Sequence, residues 1–167
     1  DLLNPEATAA FIASTHEVYY KRFSADFGSV ITAIFTDEPS LTGRCAKMGK
    51  TETDENGRII VTHKIPWTYD FHETFGACGG DAKMLAAQLF TPAEKRWARD
   101  GKYYYDMALR KGLLNAYYKP LQDWCLHHGI ALTGHPAASQ DIGMEEAFDI
   151  PGQDLVWSMI EPGTELT

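Results

Sequence analysis

The sequence predicts an α/β fold: about three short parallel strands, long helices and a hairpin-containing insertion, in one domain spanning residues 1–167. Three apolar runs carry the expectation, Val30–Thr36, Ile130–Thr133 and Leu155–Ile160. Each ends in an acid or a histidine followed by proline: Asp37-Glu38-Pro39, Gly134-His135-Pro136 and Glu161-Pro162. A long helical pattern separates the first run from the second, as a crossover connection requires, and all three runs end alike, which favours parallel pairing. In such sheets the carboxyl ends of the strands are where ligands and chemistry gather.

The elements follow in order. Asn4-Pro5-Glu6 opens a helix: an N-cap amide, a proline whose missing N–H costs nothing in the first turn, and an acid near the positive end of the helix dipole. It extends to about Phe23, and Phe11, Ile12, Thr15, Val18, Tyr19 and Phe23 form an apolar stripe suited to covering a sheet. His16 beside that stripe reads as structural. Val30, Ile31, Ile34 and Phe35, with Gly28 before them and Pro39 after, suit a strand buried on both faces.

Residues 40 to about 80 read as irregular, interrupted by a small hairpin whose turn is Asn56-Gly57 and whose second strand runs from Arg58 to His63. Ile65-Pro66-Trp67-Thr68-Tyr69-Asp70-Phe71 follows as an extended segment. Its rings serve equally well as a hydrophobic plug under a loop or as a platform for a substrate. Asp81–Phe90 reads as a short helix. Thr91-Pro92-Ala93-Glu94 opens a longer one, reaching about His128, through an N-cap, a first-turn proline and a capping-box acid. Pro120 removes a backbone donor inside this pattern and predicts a kink or break near Tyr117; Gly129 supplies the left-handed stop. Between Pro136 and Gly152 a loop holds one short helical turn, Met144–Phe148.

Composition narrows the function. A 44% hydrophobic, 23% charged chain is ordinary globular material. A net charge of −8 and a pI near 5.1 disfavour nucleic acid or an anionic membrane as partner, since those surfaces need clustered Lys and Arg. Cys45, Cys78 and Cys125 are odd in number and lack Cys-x-x-Cys spacing, so buried free thiols are expected rather than a disulfide framework or a zinc site. No apolar run reaches the roughly 20 residues of a membrane span. The chain starts at Asp1 almost directly in a helix, which reads as a processed or excised piece, and it names no compartment.

Glu38 is the first candidate for chemistry because it is a carboxylate at the end of an apolar strand; the plainer reading is that Asp37 and Glu38 only solvate that end. His135 holds the matching place after the second strand, either as a satisfied structural imidazole or as part of a site, and Glu161 follows the third. Asp37, Glu38, His135 and Glu161 together also suit a divalent cation such as calcium, which keeps a metal-dependent hydrolase open. A module that keeps its aromatic platforms without catalysis is the other alternative.

Several motifs together resemble a known family. Asn4-Pro-Glu-Ala, Thr15-His-Glu, Phe35-Thr-Asp-Glu-Pro39, Ile65-Pro-Trp-Thr-x-Asp-Phe71, Trp124-Cys-x-x-His-Gly129, Leu132-Thr-Gly-His-Pro136 and Asp149-Ile-Pro-Gly-Gln-Asp154 are similar to the central barrel segment of large bacterial glycoside hydrolases related to α-L-rhamnosidases. The resemblance spans nearly the whole chain. It implies a partial (β/α) TIM-barrel segment, a fragment of a larger (β/α)8 catalytic domain with further domains in the parent chain and open sheet edges available for self-association. It also implies hydrolysis of glycosidic bonds in plant or microbial polysaccharide side chains, with a carbohydrate substrate, no cofactor, and little activity in the isolated piece. Glu38 matches the family's acid/base position. Such an acid has to keep its proton until the leaving oxygen takes it, which apolar neighbours such as Phe35 and Trp67, or the charge of Asp37, would favour. Glu161 is the candidate second carboxylate, although in barrels of this kind the partner often comes from a later strand. Asp37, Trp67, Asp70, His135 and Gln140 would bind the sugar, and no metal site is implied.

Overall fold

The computed structural model describes residues 1–41, 50–62, 65–90, 96–136 and 141–153, and it is an α/β structure. The chain forms two compact units: Asp1–Ala7 with Ser40–Tyr117, and Thr8–Pro39 with Tyr118–Thr167.

The second unit contains the sheet. Strands β1 (Ala33–Asp37) and β4 (Ala131–His135) are parallel, with Ala33 opposite Ala131 and Asp37 opposite His135. A short β5 (Ile150–Pro151) pairs parallel with β4, which makes the order β1-β4-β5. The expected parallel pair is therefore present, with both polar ends on one edge. The expected third strand, Leu155–Ile160, lies outside the described residues; β5 is an earlier and shorter segment. Asp149 ties it down, because its carboxylate accepts the Leu132 N–H at 2.8 Å and its own N–H donates to the Leu132 carbonyl at 3.0 Å.

β1 is not buried on both faces. Thr36 is buried, but Phe35 is 54% exposed and Val30, ahead of the strand, 78%. β1 is an edge of the described sheet, and its side chains run from half-buried Ala33 and Ile34 to exposed Phe35 and buried Thr36, so one face is covered and the other open. Gly134 shows how close β1 and β4 approach, since a Cβ there would stand 2.0 Å from the Thr36 carbonyl oxygen.

The first helix runs as α1 (Pro5–Phe11), a π turn (Ile12–His16) and α2 (Glu17–Phe23), ending where the sequence predicts. Its packed side is different. Phe11, Val18, Tyr19 and Phe23 of the expected stripe are exposed, whereas Thr8 and His16 are buried. Rings decide this. Trp124 stacks on His128 with centroids 4.1 Å apart, meets His16 edge-on at 5.1 Å, and donates its indole N–H to the Glu17 carboxylate at 2.7 Å. Tyr20 sits edge-on against His128 at 4.2 Å. A face reading Thr8, Ile12, His16, Tyr20 buries through aromatic contact and one polar anchor, which a hydrophobicity pattern undervalues. His16 is structural here, as expected.

In the first unit, β2 (Lys50–Thr53) and β3 (Ile59–Thr62) form the expected antiparallel hairpin, and the Asp54 carboxylate closes its turn by accepting from Asn56 and Arg58 backbone N–H groups at 2.9 and 2.8 Å. Part of the stretch read as irregular is helical: α3 spans Phe71–Ala77, with Phe71 and Phe75 one turn apart and buried. Then come α4 (Ala82–Phe90), capped by Asp81, and α5 (Arg96–Leu113). The Tyr105 hydroxyl donates to the Pro66 carbonyl, pinning the segment before α3 to α5. The start of the long helix, Thr91–Glu94, lies outside the described residues. Its interruption does not: a π turn, Leu114–Tyr118, separates α5 from α6 (Lys119–His127) where Pro120 takes away a donor. Gly129 ends α6 at φ +71°. Among the described residues no helix is long and apolar enough to cross a membrane.

Candidate functional site

Three candidates meet at the carboxyl edge of the sheet. Register puts Asp37 opposite His135, and Glu38, one step past the strand, donates its backbone N–H to the His135 carbonyl at 3.2 Å, so β1 and β4 stay laced beyond the last strand residue. Asp37 Oδ1 stands 3.4 Å from His135 Nδ1, longer than an aligned hydrogen bond, with the side chains 49% and 25% exposed. Phe35, two residues before Asp37 and on its face of the strand, meets the His135 ring edge-on at 5.0 Å and 87°. On another side Gly152 lies so close that a Cβ there would be 3.5 Å from His135 Cδ2. The imidazole is thus held by an aromatic edge, a carboxylate and a backbone without a side chain, while part of it stays open to solvent.

Glu38 carries the local anomaly. Among the described residues it is the one non-glycine with positive φ, at +40°. L-residues with a long side chain avoid that region, and such conformations persist where the surroundings impose them. Here the lacing to His135 on one side and the buried ring of Pro39 on the other impose it. The turn aims the residue after β1 away from the alternation a continuing strand would give.

Trp67 and Asp70 belong to the first unit. Trp67 is 43% exposed and its ring tilts against Phe71 at 5.0 Å, while Phe71 fills the core; the segment is part plug and part open surface. Asp70 stands just before α3 and lines a cleft of about 350 Å³. Its lining also includes Glu73 and Thr74 of α3, Lys111 of α5 and Asn115 of the π turn. Sequence reasoning missed Glu73 and Thr74 because α3 was read as loop, and Lys111 and Asn115 because they lie on a helix far away in sequence. The signal was present in the Phe71, Phe75 pair at i, i+4 behind an acid able to precede a helix. Glu161 and Gln140 lie outside the described residues.

Burial shifts three titratable groups elsewhere among the described residues. Burial lowers the His16 pKa, with Glu17 opposing, and pushes the Tyr105 hydroxyl up to about 12, helped by Asp106. Burial pushes the Cys125 thiol up to about 12 as well, with Asp149 adding to it. Cys78 and Cys125 are free thiols, the second buried; Cys45 lies outside the described residues. Among the described residues, no group of three or more His, Cys, Asp or Glu side chains is gathered as a metal site. Compared with known protein families, curated proteins and solved structures, the chain matches none.

Proposed function

We propose that this chain is a segment of a glycoside hydrolase (β/α) barrel, related to the α-L-rhamnosidase-like enzymes, and that Glu38 is the general acid/base. One observation carries the reading: Glu38 stands at the carboxyl edge of a parallel strand pair, in a strained backbone conformation, beside the Asp37–His135 contact. Strain of this kind collects at functional positions because a folded scaffold must over-determine it. In the proposed reaction Glu38 gives its proton to the glycosidic oxygen as the bond to the anomeric carbon breaks. A second carboxylate attacks that carbon or activates water, and the separation of the pair, about 5–5.5 Å or about 6.5–9.5 Å, decides between retention and inversion. Glu161 is the candidate in this chain. Asp37 and His135 hold sugar hydroxyls, the carboxylate accepting and the imidazole donating or accepting. Asp70 and Gln140 enter as sugar contacts through the family resemblance, and Trp67 through that and its exposed ring.

The test uses the full-length polypeptide that carries this segment. Glu38→Gln is expected to lower turnover of a natural oligosaccharide by about 10²- to 10⁴-fold, the usual worth of general acid catalysis. Asp37→Asn and His135→Ala are expected to act more on KM. Near wild-type turnover in Glu38→Gln rules the assignment out, and loss of all activity on chelation moves the reading to a metal-dependent hydrolase.

A further inference from the structure

The two nitrogens of His135 sit in different surroundings. Nδ1 is sealed from solvent and makes no aligned hydrogen bond, although 25% of the side chain is exposed. Asp37 Oδ1 stands 3.4 Å from it, and the Phe35 ring meets the imidazole edge-on at 5.0 Å. Nε2 is not sealed in this way. Gly152 brings no side chain to it: a Cβ there would lie 3.8 Å from Nε2 and 3.5 Å from Cδ2. A neutral imidazole has one N–H and one lone pair, and their places follow from what each nitrogen faces. With the proton on Nε2, the Nδ1 lone pair faces a carboxylate oxygen where water does not reach, two acceptors with no donor between them. With the proton on Nδ1, the carboxylate attracts the N–H. A separation of 3.4 Å is long for a hydrogen bond, yet it leaves this preference in place. The imidazolium carries a proton on Nδ1 as well.

We infer that Asp37 is a positioning residue: it holds the ring proton of His135 on Nδ1 and leaves Nε2 as a hydrogen-bond acceptor on the open side of the ring. The backbone keeps the pair together. Asp37 and His135 are opposite each other in the parallel register, and the Glu38 N–H, bonded to the His135 carbonyl at 3.2 Å, holds that register past the last strand residue. A ligand that engages the neutral imidazole must therefore bring an O–H or N–H donor; a carbonyl or ether oxygen finds no partner there. The consequence for chemistry rests on the hydrolase reading. In that enzyme His135 accepts from a substrate hydroxyl and does not donate to a ring or glycosidic oxygen, which leaves proton donation to Glu38.

The experiment reads the tautomer itself, from long-range ¹H–¹⁵N correlations of the ¹⁵N-labelled chain at alkaline pH, with His135 assigned by the signals that His135→Gln removes. A protonated Nδ1 and an unprotonated Nε2 are expected. Asp37→Ala is expected to invert the pattern, because an imidazole freed of the carboxylate returns to the Nε2–H form it prefers in water. A protonated Nε2 in the unaltered chain overturns the inference, and so does an Asp37→Ala chain that keeps its proton on Nδ1. Should that variant not fold, Asp37→Ser takes its place, with a mixture of both forms expected and an unchanged Nδ1–H form overturning. In the full-length polypeptide Asp37→Ala is expected to raise KM for a natural oligosaccharide by about tenfold, the worth of a hydrogen bond whose partner is turned the wrong way. His135→Gln, whose amide oxygen reaches the place of Nε2, is expected to lie nearer to wild type than His135→Asn, which reaches only that of Nδ1; the opposite order overturns the acceptor role. The two proposals fail separately. An Nδ1 proton in a polypeptide without glycosidase activity leaves the tautomer standing and the hydrolase reading fallen, and Glu38-dependent turnover with the proton on Nε2 gives the reverse.

Discussion

A single backbone angle concentrates the functional question on Glu38. Its φ of +40° is a cost, on the order of 1–3 kcal/mol for sparsely populated conformations, which the backbone bond to His135 and the buried Pro39 hold in place. Two other residues show titratable groups serving the fold instead. The Cys125 thiol, buried and pushed up to about 12, has almost no thiolate at neutral pH. Iodoacetamide on the native chain is therefore expected to leave Cys125 unmodified while half-buried Cys78 reacts, as peptide mass spectrometry reads directly. His16 is held neutral by burial, its pKa below the ordinary 6.5. The sign follows from proton counting. Between the lowered folded value and 6.5 the unfolded chain binds more protons, so this contribution to stability is complete above 6.5 and is lost as pH falls through that window. Thermal midpoints are expected to drop on acidification below 6.5, and His16→Phe, which keeps a ring against Trp124, is expected to flatten the drop. An unchanged slope in that variant contradicts the assignment.

At the scale of elements, the parallel β1–β4 pair depends on close backbone approach. Gly134→Ala puts a methyl group 2.0 Å from the Thr36 carbonyl, where backbone and not a flexible side chain must move. Overpacking costs typically about 1–3 kcal/mol, and denaturant unfolding is expected to show at least that loss, together with a displaced Asp37–His135 contact. Much of this architecture is legible in the sequence. Asn4-Pro5, Asn56-Gly57, Pro120 and Gly129 each act through a local backbone constraint, and each marks the boundary or break it predicts. What escapes is set by tertiary contact. The buried side of α1 and α2 is chosen by ring contacts with Trp124 of α6 and by a buried His16 that a hydrophobicity pattern counts as polar. Helix α3 hides because it is only seven residues long and is followed by Gly79 and Gly80. The double-sided burial expected of β1 fails because one strand's residues do not show whether both faces of its sheet are covered.

For the whole molecule, among the described residues each of the two compact units holds a place where chemistry-bearing residues lie together: the sheet edge with Asp37, Glu38 and His135, and the cleft with Asp70, Glu73 and Lys111. The first was legible because strand ends in parallel sheets advertise themselves by an abrupt change from apolar to charged residues. The second was half legible, through Asp70 alone, because its partners come from helices far apart in sequence. The excess of acid over base fits both, since neither gathers the cationic side chains an anionic ligand needs. The central claim, that Glu38 protonates a leaving oxygen, predicts a dependence no structural role imitates. Turnover of a series of aryl glycosides with leaving phenols of increasing pKa should be measured in the full-length polypeptide and in Glu38→Gln. If Glu38 is the acid, the variant keeps pace on the most acidic phenol and falls progressively behind as the leaving group becomes more basic, by about 10²-fold or more at the far end of the series. A variant slowed by the same factor on every leaving group, or on none, contradicts the claim.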